Sequence, residues 1–168
     1  MIRRCYTNKF PAYIGCTVDE WWFNFQNFAE WYVGHKNYGK DGYHLDKDLT
    51  VIGNKVYSPE TCDLIPATLN NYVASLNKAV GYHWCNRDKR FIAKIRCVDY
   101  RETLGYFTNE EDARNAYLAA KKVQLAALAE KYKHEIREEI YMNLRDWKGQ
   151  LPTTSMGNAI PMVTLNNK

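Results

Sequence analysis

The chain has 168 residues, room for one ordinary domain or two small ones, with 46% hydrophobic and 25% charged residues and a formal charge of +4 at neutral pH. That balance belongs to a folded chain and excludes disorder along its whole length. The longest near-apolar stretch, 123–129, falls far short of the roughly 20 residues that span a bilayer, and the N-terminus turns polar where a signal peptide needs its apolar run. A cytoplasmic chain without a membrane partner is therefore expected. Five cysteines (Cys5, Cys16, Cys62, Cys85, Cys97) form no C-x-x-C pair, which predicts reduced thiols. The spacings of Cys5, Cys16 and Cys62 match no standard zinc site, so a structural zinc is not expected.

Residues 1–16 read as an irregular entry, broken by Pro11 and Gly15. Thr17 to Glu20 has the form of a capping box. Behind it Trp21, Phe25, Phe28 and Tyr32 recur at helical spacing, which predicts an amphipathic helix over about 18–33 with its aromatic stripe in the core. Residues 34–42 read as a loop. Residues 43–57 read as two short extended pieces around a turn at Gly53-Asn54, and 67–79 as a helix carrying Leu69, Tyr72, Val73 and Leu76.

The next block changes character. Between Lys78 and Arg101 seven basic side chains stand against Asp88 and Asp99, a local excess larger than the net charge of the whole chain. Three strands are predicted at 81–85, 90–98 and 101–107. Alternation along the middle one puts Arg90, Ile92, Lys94 and Arg96 on one face and Phe91, Ala93 and Ile95 on the other. Asn109 or Thr108 then caps a helix opening with Glu110, Glu111 and Asp112, its predicted buried stripe being Ala113, Ala116, Tyr117, Ala120, Val123 and Ala127. A further helix is predicted at 133–147, followed by a mobile tail over 149–168 with Pro152 and Pro161. The fold class expected is α+β.

Gly81-Tyr-His-Trp84, Arg90-Phe-Ile-Ala-Lys-Ile-Arg96, Leu104-Gly-Tyr-Phe107 and Glu110-Glu-Asp-Ala-Arg-Asn-Ala-Tyr117 occur in that order. This block, 79–132, resembles the ethylene-response-factor (Apetala-type) DNA-binding domain. The resemblance implies a three-stranded antiparallel sheet laid in the major groove of double-stranded DNA and backed by one helix. The residues alone lead to the same face, since a small β-ribbon fits the major groove and Arg reads guanine edges. Arg90, Lys94 and Arg96 of the middle strand, Arg87 and Lys89 of the first turn and Arg101 of the third strand are the expected contacts. Tyr82 and Trp84 share a face of the first strand and are candidates for stacking on sugars or bases; for Trp84 half-buried packing is the equal alternative. The plant Arg-Gly-Val-Arg opening is missing, and Phe91 stands where Trp is usual, so no base sequence carries over.

Upstream, Tyr43-His-Leu-Asp-Lys-Asp48, Gly53-Asn-Lys-Val-Tyr-Ser-Pro-Glu-Thr-Cys62, Ile65-Pro66 and Leu69-Asn-Asn71 resemble a phage-type HNH homing-endonuclease module, here 1–78. The resemblance implies a small ββα unit that hydrolyses DNA phosphodiesters with Mg²⁺ or Mn²⁺ and a His base, in the cytoplasm of a phage-infected bacterium. By position, Asp46 falls on the metal-binding acid, Lys47 on the base, Thr61 on the middle Asn and Asn70 on the last ligand. A lysine, ordinarily near pKa 10.4, takes a proton at neutral pH only if depressed by about three units, and otherwise serves as a point charge for phosphate. His44, Asp46 and Asp48 share a strand face at i, i+2 and i+4, which suggests a metal-and-base cluster; a solvated strand with Lys–Asp pairs is the alternative. The expected function is a metal-dependent DNA endonuclease of phage or mobile-element origin, acting as a monomer. The alternative is a non-catalytic DNA-binding or host-protein-directed chain on a decayed nuclease scaffold.

Overall fold

The computed structural model describes residues 1–149, so the tail expected over 149–168 lies, apart from Gly149, outside the described residues. The architecture is α+β, with a three-stranded antiparallel sheet packed on a helix.

The N-terminal segment is more regular than its sequence suggests. Helix α1 (Ile2–Tyr6) and a 3-10 turn (Pro11–Tyr13) lead to strand β1 (Thr17–Val18), which pairs in parallel with β3 (Val56–Tyr57). Thr17 is thus a strand residue, its amide donating to Lys55 O at 2.9 Å, and not a helix cap. Asp19 caps a second 3-10 turn (Glu20–Phe23) and Asn24 caps helix α2 (Phe25–Gly34), each through its side-chain oxygen. Breaking the expected helix at Asn24 changes its phase. Trp22, on the turn, becomes the buried aromatic, with Phe28 and Trp31 packed against it at ring separations of 5.2 and 4.9 Å. Helix α2 itself buries no residue completely, and Trp21, Phe25 and Tyr32, expected in the core, are exposed.

Strand β2 (Tyr43–Asp46) does not turn back on β3. It pairs antiparallel with β4 (Asp63–Pro66), Tyr43 opposite Pro66 and Asp46 opposite Asp63, and α3 (Ala67–Lys78) follows at once. The result is a ββα unit whose second strand is fully buried. The loop between the strands is stitched by Asn54, whose amide donates to Lys47 O and Val56 O, both at 2.7 Å.

Strands β5 (Tyr82–Cys85), β6 (Arg90–Arg96) and β7 (Arg101–Phe107) form the order β5-β6-β7, with a register shift after Ala93 that leaves Leu104 unpaired. Helix α4 (Glu110–Tyr132) is capped by Asn109, which accepts from Asp112 N at 2.8 Å, and it packs on all three strands. Its buried stripe runs through Ala113, Tyr117, Lys121, Leu125, Leu128 and Tyr132; Val123 and Ala127, expected inside, are exposed. Helix α5 (Glu138–Arg145) closes the described fold.

One hydrophobic core joins Ile65 of β4, Leu69, Tyr72 and Leu76 of α3, Ile95 of β6, Tyr117 and Leu125 of α4 and Ile140 and Leu144 of α5, so it crosses the expected boundary near residue 78. A second core holds Cys5, Cys16, Val18, Trp22, Tyr57 and Cys62. Asp63 ties the pieces together. It is fully buried, accepts from Arg137 N at 3.0 Å and lies 2.7 Å from His35 Nε2.

Candidate nucleic-acid interface and the upstream cleft

Pairing fixes which side chains share a face, because residues directly opposite in a ladder project the same way. Tyr82 is opposite Ala93 and Trp84 opposite Phe91, so both lie on the face that carries α4. Tyr82 OH donates to Glu110 on α4 at 3.1 Å, and Trp84 packs edge-on against Phe91 at 4.9 Å. The two aromatics expected to stack on DNA therefore belong to the helix side, where Trp84 touches Phe91 and remains 44% exposed.

The other face is open. It carries Arg90, Lys94 and Arg96 from β6, His83 opposite Ile92, Thr103 opposite Lys94, Arg101 opposite Arg96, and Tyr106 on the far side of Ile92. All except Ile92 are exposed; Ile92 is buried beneath its neighbours. No acidic residue occupies a paired position on this face. The side chains of Arg90, Lys94, Arg96 and Arg101 form no ion pair with any described residue, whereas Arg87, Arg137 and Arg145 each meet a carboxylate. Arg90 and Arg96 are six residues apart along an extended strand, roughly 20 Å, enough to cross a major groove about 12 Å wide.

The turn residues are placed less directly. Arg87 is exposed and engages Asp88 through two hydrogen bonds of 2.8 and 3.2 Å, so its charge is neutralised in the free protein. Lys89 is exposed at a left-handed turn position, φ +48°. His83 and Tyr106 were not expected at this face; the signal for them lay in the strand register, which a single strand's alternation does not supply.

In the upstream unit the structure divides the expected cluster. Asp46 is buried, and its Oδ2 accepts from Asp48 N at 2.9 Å and Leu49 N at 2.8 Å, capping the loop after β2. Burial pushes its carboxyl up to about 6, partly countered by the Leu49 amide. Lys47 is buried too, its ammonium bonded to Asp48, 3.4 Å from Asn54 O and 5.4 Å from the Tyr57 ring centre. Burial alone would lower this lysine's pKa, but the hydrogen bond and charge of Asp48 outweigh it and raise it. The protonated form of Lys47 is thus favoured, which suits a point charge better than a base.

His44 is exposed and lines a cleft of about 530 Å³ with Asn70, Arg4, Tyr13, Tyr43 and Tyr57. Arg4 donates to Tyr13 OH at 3.0 Å. Neither Asp46 nor Asp48 lines that cleft. Among the described residues no three His, Cys, Asp or Glu side chains converge as a metal-binding group. Of the expected ligands, Asp46 caps a loop, Asp48 is paired with Lys47, and Asn70 is grouped with neither. Thr61, at the middle position, bonds Val56 O at 2.7 Å.

Among the described residues no helix is long and apolar enough to cross a membrane. Set against protein-family models, curated proteins and solved structures, the chain matches none of them.

Proposed function

We propose that this chain binds double-stranded DNA through the open face of β5, β6 and β7. What supports this is an acid-free strand face with four unpaired cations, spaced to cross a groove, opposite a face sealed by a helix. The resemblance of 79–132 to the ethylene-response-factor domain favours the same face. Phosphates supply the attraction, so affinity falls steeply with salt. Replacing Arg90, Lys94 and Arg96 together by Ala, with binding followed by fluorescence anisotropy on a labelled duplex, is expected to weaken binding strongly and flatten its salt dependence. Unchanged affinity would remove the sheet from the interface.

The upstream cleft favours a second activity on the same substrate, hydrolysis of a phosphodiester, as in the phage-type HNH endonucleases that 1–78 resembles. In this reading His44, which lines the cleft with Asn70 and Arg4, takes a proton from water and Arg4 holds the phosphate. The assay is nicking of supercoiled plasmid with Mg²⁺, Mn²⁺ or EDTA, beside His44→Ala. Cutting that His44→Ala loses supports an endonuclease. A band shift without cutting leaves a DNA-binding protein whose ββα unit is a scaffold or a docking surface.

A further inference from the structure

The four cations of the open face are not equivalent. Strand β5 begins only at Tyr82, so β6 beyond Ala93 has no strand neighbour on that side, and the chain entering from α3 runs alongside instead, Gly81 O accepting from Lys94 N at 2.8 Å. Between that segment and the sheet lies a cleft of about 430 Å³. Lys94, Arg96, Arg101 and His83 line it, and among the described residues no acidic one does; Arg90, at the other end of β6, is not part of it.

Two features mark this cleft as built for an anion. Arg96 and Arg101 are directly opposite in the β6–β7 ladder, a like-charge pair that costs stability when nothing lies between the two. The C-terminal end of α3 also borders the cleft through Ser75 and Leu76, and its partial negative charge would repel an anion. That end is neutralised: the buried Lys121 donates to Leu76 O at 3.0 Å. The backbone beneath the cations is fixed as well, with Tyr72 OH donating to Arg96 O at 2.6 Å and Gly81 pressed against the Tyr117 ring.

We infer that this cleft is a phosphate seat, in which Lys94, Arg96 and Arg101 hold the DNA backbone, while Arg90 and the exposed Tyr106, which lie outside it, face the base edges. The inference rests on the DNA-binding reading above and divides its contacts. A phosphate contact fixes position without reading sequence; a base contact does the reverse.

The full chain is titrated by anisotropy against three 20-bp duplexes of unrelated sequence over a series of salt concentrations. Arg96→Gln, Arg101→Gln and Lys94→Gln are each expected to weaken binding by the same factor on all three duplexes and to lower the log–log salt slope by about 0.9. Arg90→Gln and Tyr106→Ala are expected to change the relative affinities among duplexes. Arg96→Lys, which keeps the charge, is expected to keep the slope. Circular dichroism melting checks that each variant folds. Wild-type binding with Arg96→Gln and Arg101→Gln altering sequence preference at an unchanged slope overturns the seat and leaves DNA binding standing. If wild type binds no duplex, inorganic phosphate becomes the probe. A rise in melting temperature with phosphate that Arg96→Gln and Arg101→Gln abolish keeps the seat without the DNA, and no rise removes both.

Discussion

Lys121 offers a direct thermodynamic test of the packing described here. It lies on the buried stripe of α4, donates to Leu76 O at 3.0 Å and sits 5.9 and 5.0 Å from the ring centres of Tyr117 and Trp147. Burial lowers its pKa from 10.5 to about 8. Below about pH 8 the ammonium is charged in both folded and unfolded chains, and the full penalty of burying it is present. Between about 8 and 10.5 the folded protein has released the proton while the unfolded chain still holds it, so stability contributed by this group rises with pH; above 10.5 the penalty is gone. The displacement corresponds to roughly 3.4 kcal/mol, of which about 2.5 returns between pH 7 and 10. Solvent reaching the ammonium reduces that to about 1.2 kcal/mol. Lys121→Met keeps the stem and removes the charge. Urea unfolding of both proteins at pH 7 and pH 10 is expected to show the variant's stability relative to wild type falling by that amount as pH rises. A difference independent of pH, or moving the other way, would refute the buried ammonium.

Gly81→Ala is expected to cost about 2–4 kcal/mol in urea unfolding, since φ is +81° and the new Cβ would lie 2.1 Å from the Tyr117 ring; a neutral result would mean the seam between α3 and the sheet is not packed as described. Asp63→Ala is expected to cost about 3 kcal/mol, because it leaves His35 and the Arg137 amide without their buried partner. Asp63→Asn, which retains the volume and an acceptor for Arg137 N, is expected to lose less, and equal losses would show that the carboxylate's charge facing His35 carries the whole effect.

The three-stranded sheet was legible because its period is short and its signal dense. In 90–96 charged and apolar residues alternate with Ile92 the one exception, and the acids after Asn109 mark the start of α4. The two-residue strands β1 and β3 left no such trace: they pair across 39 positions of chain, Thr17 with Val56, and nothing local specifies a partner so far away. Strand β4 was missed for a related reason, since four buried residues ending in Pro66 show neither alternation nor a polar face. The facing of Tyr82 and Trp84 was out of reach for a different one. Alternation tells which residues of one strand share a side, but not which side of the neighbouring strand they join; the register set by the connecting turn decides that. The burial of Lys121 and Lys47 had no local signal, because nothing in a charged residue's neighbours along the chain shows the partner that lets it be buried; here Leu76 O and Asp48 are those partners.

The arginines of this chain fall into two groups. Arg87 has Asp88, Arg137 has Glu139 and Arg145 has Asp146, while Arg3, Arg4, Arg114 and the sheet arginines form no ion pair with a described residue. On the sheet the chain sets Arg96 against Arg101 and adds Lys94 and Arg90 with no acid on that face. A cross-strand pair of like charges costs roughly 0.2–1 kcal/mol, small beside a core that runs from β4 to α5, so the fold tolerates it. An anion settling between the two arginines reverses the sign of that cost. The cations need not be drawn together on binding, because the ladder, Tyr72 and Gly81 already hold their backbone in place. Little conformational entropy is left to lose at the backbone, and the local repulsion stored in the free protein becomes part of the affinity for a phosphate.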